Sequence, residues 1–287
     1  RSSSANCREV NELIEAVVND MVQQCHGDTG SRSNKKMILK SKEISMILCG
    51  LQSTKFSNEN VQLLINTTLS IARKRRIWLS TGDEIVAALT GLRHIGSNDS
   101  ASRAAIKYII DSLQRLQQRH HHHLNEQKRG DQHVNKSDHN NQHQLQPSIT
   151  QSQIASSIYA MQSMTTESPE TRMLLHIFTR AHITGDWKEQ HFDEANIAKI
   201  IYGLQSMTCS PTGARDKAVR ATIQMILSKL DKTLPLNFSG KHIAMMTYGL
   251  KCMTSNAKEV RGLLSSLRAM LTQTSLSLPS LNKARGT

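Results

Sequence analysis

One phrase recurs in this chain, and it restricts the fold more than any other feature. It reads Ile197-Ala198-Lys199-Ile200-Ile201-Tyr202-Gly203-Leu204-Gln205-Ser206-Met207. An earlier copy runs from Ile154 to Met164 through Tyr159-Ala160-Met161-Gln162, and a later one from Ile243 to Met253 through Tyr248-Gly249-Leu250-Lys251. Weaker copies lie at Ile44–Gln52, with Cys49-Gly50-Leu51, and at Ile85–Ile95, with Thr90-Gly91-Leu92. Self-similarity in tandem is the signature of a repeat architecture. The small residue at the centre of each copy (Gly50, Gly91, Ala160, Gly203, Gly249) steps along the chain by 41, 69, 43 and 46 residues. The long step contains a His/Gln/Asn-rich tract from about Arg119 to Gln146, and without those 28 residues it also becomes 41. A period near forty is too long for one helix and fits a helix-turn-helix unit that buries its apolar face only by stacking on its neighbours.

The expected fold is therefore all-α: a right-handed α-solenoid of about five helix-turn-helix repeats of roughly 41–46 residues. Apolar residues at helical spacing, from Val10 to Met21, read as the second helix of a partial unit. Full units follow, with first helices starting near Ser41, Thr81, Thr150, Asp193 and Ser239, and second helices near Ser57, Ser100, Pro169, Thr212 and Ala257. Residues 1–118 hold the partial unit and two full ones, 119–147 a disordered insertion, 148–272 three more units, and 273–287 the truncated start of another. Gly27–Asn34 reads as a loop. The insertion carries seven of the thirteen histidines and almost nothing apolar, so it cannot offset its chain entropy by burial. Only 3% of residues are aromatic, so the core falls to Leu, Ile, Met, Val and Ala.

The charge balance is a statement about partners. With 36 Lys+Arg against 23 Asp+Glu the net charge is +13, which favours a polyanion such as RNA, DNA or an acidic membrane surface. Five scattered cysteines without a C-x-x-C pair suit a reducing compartment. No run of eighteen apolar residues marks a membrane span. The Arg-Ser-Ser-Ser start reads as a piece of a longer protein. There is no H-E-x-x-H, no G-x-S-x-G and no glycine-rich phosphate loop, so no enzyme and no cofactor are indicated. His120–His123 could ligate a transition metal, but a His-rich tract without a structured shell reads as filler, and no metal is expected.

Helical geometry separates packing positions from reading positions. In the fourth unit Ile197, Ile200, Ile201, Leu204 and Met207 form one apolar stripe, with Gly203 at its edge where two helices approach closely. Tyr202 falls on the opposite face. Tyr159, Tyr202 and Tyr248 share this position, with Cys49 and Thr90 in the other copies. Three residues on come Gln52, Arg93, Gln162, Gln205 and Lys251, all long hydrogen-bond donors. A column of Tyr beside a column of Gln/Arg/Lys suits a reader of single-stranded RNA: rings stack on bases, while amides and cations reach base edges or phosphates. Lateral packing of the rings against neighbouring first helices is the alternative reading. Arg73, Lys74, Arg75 and Arg76 exceed what a helix C-terminus needs and form a candidate phosphate patch.

Ile201–Met207 and Ser168-Pro169-Glu170-Thr171-Arg172-Met173-Leu174-Leu175 resemble the two helices of organellar RNA-binding repeats: the heptatricopeptide and octotricopeptide families and the repeats of the RNA-editing substrate-binding complex. The resemblance covers about Ser41–Leu116 and Thr150–Leu271. It implies an α-solenoid that binds RNA in mitochondria or plastids and acts in RNA processing, stability or translation; the expected partner is single-stranded RNA, with other proteins of an RNA-processing complex as further candidates, and no catalysis is expected. A protein-interaction scaffold is the competing expectation.

Overall fold

The computed structural model describes residues 3–26, 39–53, 59–94, 96–97, 99–130, 149–184, 192–230 and 238–276. Among them are eleven α-helices and no β-strand, so the chain is all-α as expected. The loop expected at Gly27–Asn34, the helix start at Ser57, most of the insertion and the tail beyond Leu276 lie outside the described residues. The chain divides into two compact units, Arg1–Met164 and Thr165–Thr287, so the division falls after the third anchor phrase and not at the insertion.

Unit 1 contains α1 (Ser3–His26), α2 (Ser41–Gly50), α3 (Glu59–Lys74), α4 (Gly82–Gly91), α5 (Ser100–Gly130) and α6 (Gln151–Ala160). The first helices α2, α4 and α6 pack in that order, and the second helices α1, α3 and α5 pack alongside one another as a separate row. Unit 2 contains α7 (Pro169–Thr184), α8 (Glu194–Gly203), α9 (Lys217–Leu230), α10 (Gly240–Gly249) and α11 (Lys258–Leu276). Here α7, α9 and α11 form one row, and α8 packs on α10. The core between rows is aliphatic, as the composition requires: Ile44, Leu48, Ile85, Leu89, Ile154 and Ile158 in unit 1, Ile197, Ile201, Leu204, Ile223 and Leu263 in unit 2, all buried.

Every first helix has ten residues, about 15 Å, and both of its ends are set by sequence. The side chains of Thr81, Thr150, Asp193 and Ser239 accept from the backbone N–H three residues on, satisfying a donor the helix leaves open. Gln153 completes a capping box on Thr150, its Oε1 accepting from the Thr150 N–H at 2.8 Å. In α2 the expected N-cap, Ser41, is instead the first helical residue. Lys40 precedes the helix and its N–H donates to Glu43 Oε2 at 2.6 Å, while the Ser41 hydroxyl donates to Glu84 Oε1 of α4 at 2.9 Å. The acidic residue three positions on does the capping there.

The small residue of each phrase is the last helical residue, and close approach explains it. A Cβ on Gly91 would overlap the Leu48 carbonyl of α2, and one on Gly249 would overlap the Ile201 carbonyl of α8. Backbone meets backbone at these points, so a methyl group has no flexible neighbour to displace. Gly50 has no neighbour on its own Cβ side within 4 Å.

Second helices depart from expectation at their ends. α5 continues to Gly130, so the opening part of the insertion is helical and not the expected disordered loop. Its Ser100–Leu116 portion is anchored in the core, and Gln, His, Lys and Arg, which are acceptable helix formers, carry the helix onward. α11 likewise runs on to Leu276, through residues expected to open another unit. α9 starts at Lys217 after a short 3₁₀ turn, Ala214–Asp216, later than the expected Thr212. In unit 2 an arginine near the start of each second helix clamps the preceding loop. Arg172 Nη1 donates to the Thr166 and Glu167 carbonyls, Arg220 Nη1 to Ser210 and Pro211, and Arg261 Nη1 to Ser255 and Asn256.

Candidate nucleic-acid interface

The candidate residues sit where the first helices end. Because the first helices are equal in length and pack side by side, the positions around the small residue come close on neighbouring helices. Unit 1 thereby brings Arg93 and Tyr159 together. Arg93 Nη2 donates to the Tyr159 hydroxyl at 2.7 Å, and its guanidinium carbon lies 4.4 Å from the ring centroid. Gln162 is buried beside them, and with its amide oxygen turned toward Arg93 it accepts from Nε. Ser163 Oγ donates to the Arg93 carbonyl. This ring is half-buried under a cation. Of the other candidates in the unit, Gln52 is half-buried, and Thr90 turns its hydroxyl to the Val86 carbonyl at 2.7 Å.

Unit 2 forms the more open cluster. Tyr202 and Tyr248, one phrase apart, stack with centroids 5.6 Å apart and planes 21° from parallel. Lys251 Nζ lies 4.1 Å from the Tyr248 centroid and donates to its hydroxyl at 2.9 Å. That hydrogen bond is the main reason the lysine's pKa rises above its ordinary value. Tyr248 is 50% exposed, whereas Tyr202 and Gln205 are half-buried. The rings are neither shut inside the protein nor free-standing: each lies against a neighbour from the repeat, with one edge or face toward solvent. Such preformed aromatic–cation surfaces can stack a base on a ring edge or exposed face, and the cation can reach a phosphate.

Arg73, Lys74, Arg75 and Arg76 lie elsewhere. They end α3, whose C-terminus feeds directly into α4, while Arg93 follows the far end of α4. The ten residues of α4, about 15 Å of helix, therefore lie along the chain between the basic run and Arg93. The run also has a structural duty. Ile77 N–H donates to the Ala72 carbonyl at 2.8 Å and Arg76 N–H to Arg73 at 3.1 Å, with Arg76 at φ 56°, a left-handed helix terminus where glycine is usual. Arg73 Nη2 reaches the Ala104 carbonyl of α5 at 3.3 Å.

Next to this run lies a group the repeat phrase did not disclose. Trp78 stacks on Tyr108 of α5 at 5.5 Å, Tyr108 donates to the Ile77 carbonyl at 2.8 Å, and the Arg115 guanidinium carbon sits 4.3 Å from the Trp78 ring centroid. The signal for it in sequence is weak: one Trp after a basic run, and the one tyrosine that falls outside the recurring phrase. Among the described residues no cluster of His, Cys, Asp and Glu could hold a metal ion, and no helix is long and apolar enough to cross a membrane.

Compared with known proteins, the chain matches no family profile, and neither a curated protein nor a solved structure is significantly similar to it.

Proposed function

We propose that the protein is a non-catalytic binder of single-stranded RNA built as an α-solenoid of helical pairs, acting in organellar RNA processing, stability or translation. The observation that carries this reading is the Tyr202–Tyr248–Lys251 cluster: two rings stacked in register, the outer one half exposed, with an ammonium beside it, in a chain of net charge +13. A base stacks on the exposed part of Tyr248, Lys251 swings from the ring to a phosphate, and Gln205 or its equivalents meet base edges. Arg93 and Tyr159 form the corresponding pair in unit 1, already closed on each other, so an RNA must part them to use either.

Tyr248→Ala removes the exposed ring and should weaken binding of a labelled oligouridylate by roughly 1–3 kcal/mol, about 5- to 150-fold in Kd, measured by fluorescence anisotropy. Unchanged affinity with an intact circular-dichroism spectrum counts against the stacking role.

A protein-interaction scaffold is the second reading, and one observation favours it. Leu13 on α1 is 65% exposed, with Val17 one turn on also exposed, an apolar stripe of the kind that packs on another helix. A pulldown that retains proteins after nuclease treatment, with no RNA recovered before it, would support that reading over the first.

A further inference from the structure

We propose that the exposed face of α5 is a track for the phosphate backbone of the bound RNA, with Arg103, Lys107, Arg115 and Arg119 as its contacts and Arg73 joining from α3. The inference rests on the RNA reading above and adds to it a second-row helix of unit 1 that holds charge.

The spacing makes the track. Arg103, Lys107, Arg115 and Arg119 are separated by multiples of four residues, so they follow a stripe that turns by about 40° per step, winding through about 160° of the helix surface over about 24 Å, and all four are exposed. Half-buried Asp111 occupies the remaining step of the series. Arg73 bonds the Ala104 carbonyl, which brings a fifth cation against the start of the row. Arg115 is held over Trp78, itself stacked on Tyr108, so its guanidinium is pre-oriented and loses less freedom on engaging an anion. The two acids of the adjoining first helix are already engaged, Glu84 by Ser41 and Ser80 and Asp83 by Gln153.

A merely basic composition would not concentrate charge this way. α1, in the same row, exposes Glu9, Glu12, Glu15 and Asp20 against Arg8, which is itself paired with Glu12 at 2.9 Å. The midsection of α3 exposes Leu63, Asn66 and Ser70. The row is thus polarised, repelling a polyanion at α1 and attracting it at α5. Between Ser100 and Arg119 of α5 no large apolar side chain is exposed.

The test is the salt dependence of oligouridylate binding for three proteins: wild type, a track variant (Arg103→Gln, Lys107→Gln, Arg115→Gln, Arg119→Gln), and a control with equal charge loss at exposed unit 2 positions (Lys217→Gln, Lys241→Gln, Lys258→Gln, Arg268→Gln). Circular dichroism verifies that all three are helical. Each lost phosphate contact on single-stranded RNA shallows the log Kobs–log salt slope by about 0.7, so the track variant should differ from wild type by roughly 3 and the control by far less. Equal loss in both variants overturns the track in favour of net charge. An unchanged slope in the track variant, with wild type still binding, overturns the track and leaves the RNA reading standing. A wild type that does not bind at any salt overturns both. Anionic phosphatidylserine vesicles are the parallel probe: capture by vesicles but not by RNA, lost in the track variant, overturns the proposal in favour of a membrane surface.

Discussion

At the level of single residues, the same glycine in the same phrase carries different loads. Gly91 and Gly249 touch a neighbouring backbone, whereas Gly50 meets nothing within 4 Å, although all three end a ten-residue helix. Gly91→Ala should destabilise the protein by about 1–3 kcal/mol, because a rigid carbonyl cannot yield to the methyl. Gly50→Ala should be neutral or stabilise by up to about 1 kcal/mol, since alanine loses less backbone entropy in a helix. Chemical denaturation of the two variants checks the contrast, and equal effects would contradict the close-approach explanation. Tyr202 and Tyr248 show the same dependence on neighbours. The phrase places both rings on one side of their helices, but their face-to-face contact arises only because α8 and α10 lie side by side.

At the level of elements, the joints between helices are held by polar groups that reach across the turn and, at Asp216, back to the preceding joint. Asp216, buried in the turn before α9, accepts from the Thr208 hydroxyl at 2.9 Å and the Ser210 N–H at 2.7 Å, and Thr166 donates from the preceding joint. Asp216→Ala strands the Ser210 N–H and leaves the Thr166 and Thr208 hydroxyls, 3.0 Å apart, with only each other, and should cost roughly 2 kcal/mol in urea unfolding, with Asp216→Asn costing less. What sequence reveals at this scale follows from range. Caps such as Thr81, Thr150, Asp193 and Ser239 act within three residues, so the starts of those first helices are legible in the chain. Ser41 misleads because Glu43 caps the helix from inside and Ser41 is drawn to Glu84 in the next repeat. The Trp78–Tyr108 stack depends on a tertiary contact, and the placing of Arg73–Arg76 and Arg93 on which end of a helix each occupies, and a recurring phrase does not encode these. The extension of α5 to Gly130 was hidden by a composition that is polar yet tolerant of helix.

For the molecule as a whole, charge and burial set the response to conditions. Burial first, then the charges of Asp216 and Glu259, push the Cys209 thiol from its ordinary 9.0 up to about 11, and burial also raises Tyr108. An acid whose pKa is raised by folding keeps its full contribution below its unfolded value and loses it as pH climbs through the folded one. Stability should therefore fall between about pH 9 and pH 11 as the unfolded chain ionises first. Thermal unfolding across that range checks this, and Cys209→Ala should flatten part of the decline; a decline unaltered by that substitution would implicate other groups. In the proposed complex the rings of the recurring phrase meet RNA bases. Photocross-linking of a thiouridine-bearing oligonucleotide to the wild-type protein, with mass-spectrometric localisation of the adducts, tests it most directly. Adducts on the peptides bearing Tyr202 and Tyr248 are the expected result, and a protein that forms none, or forms them only away from the phrase, would contradict it.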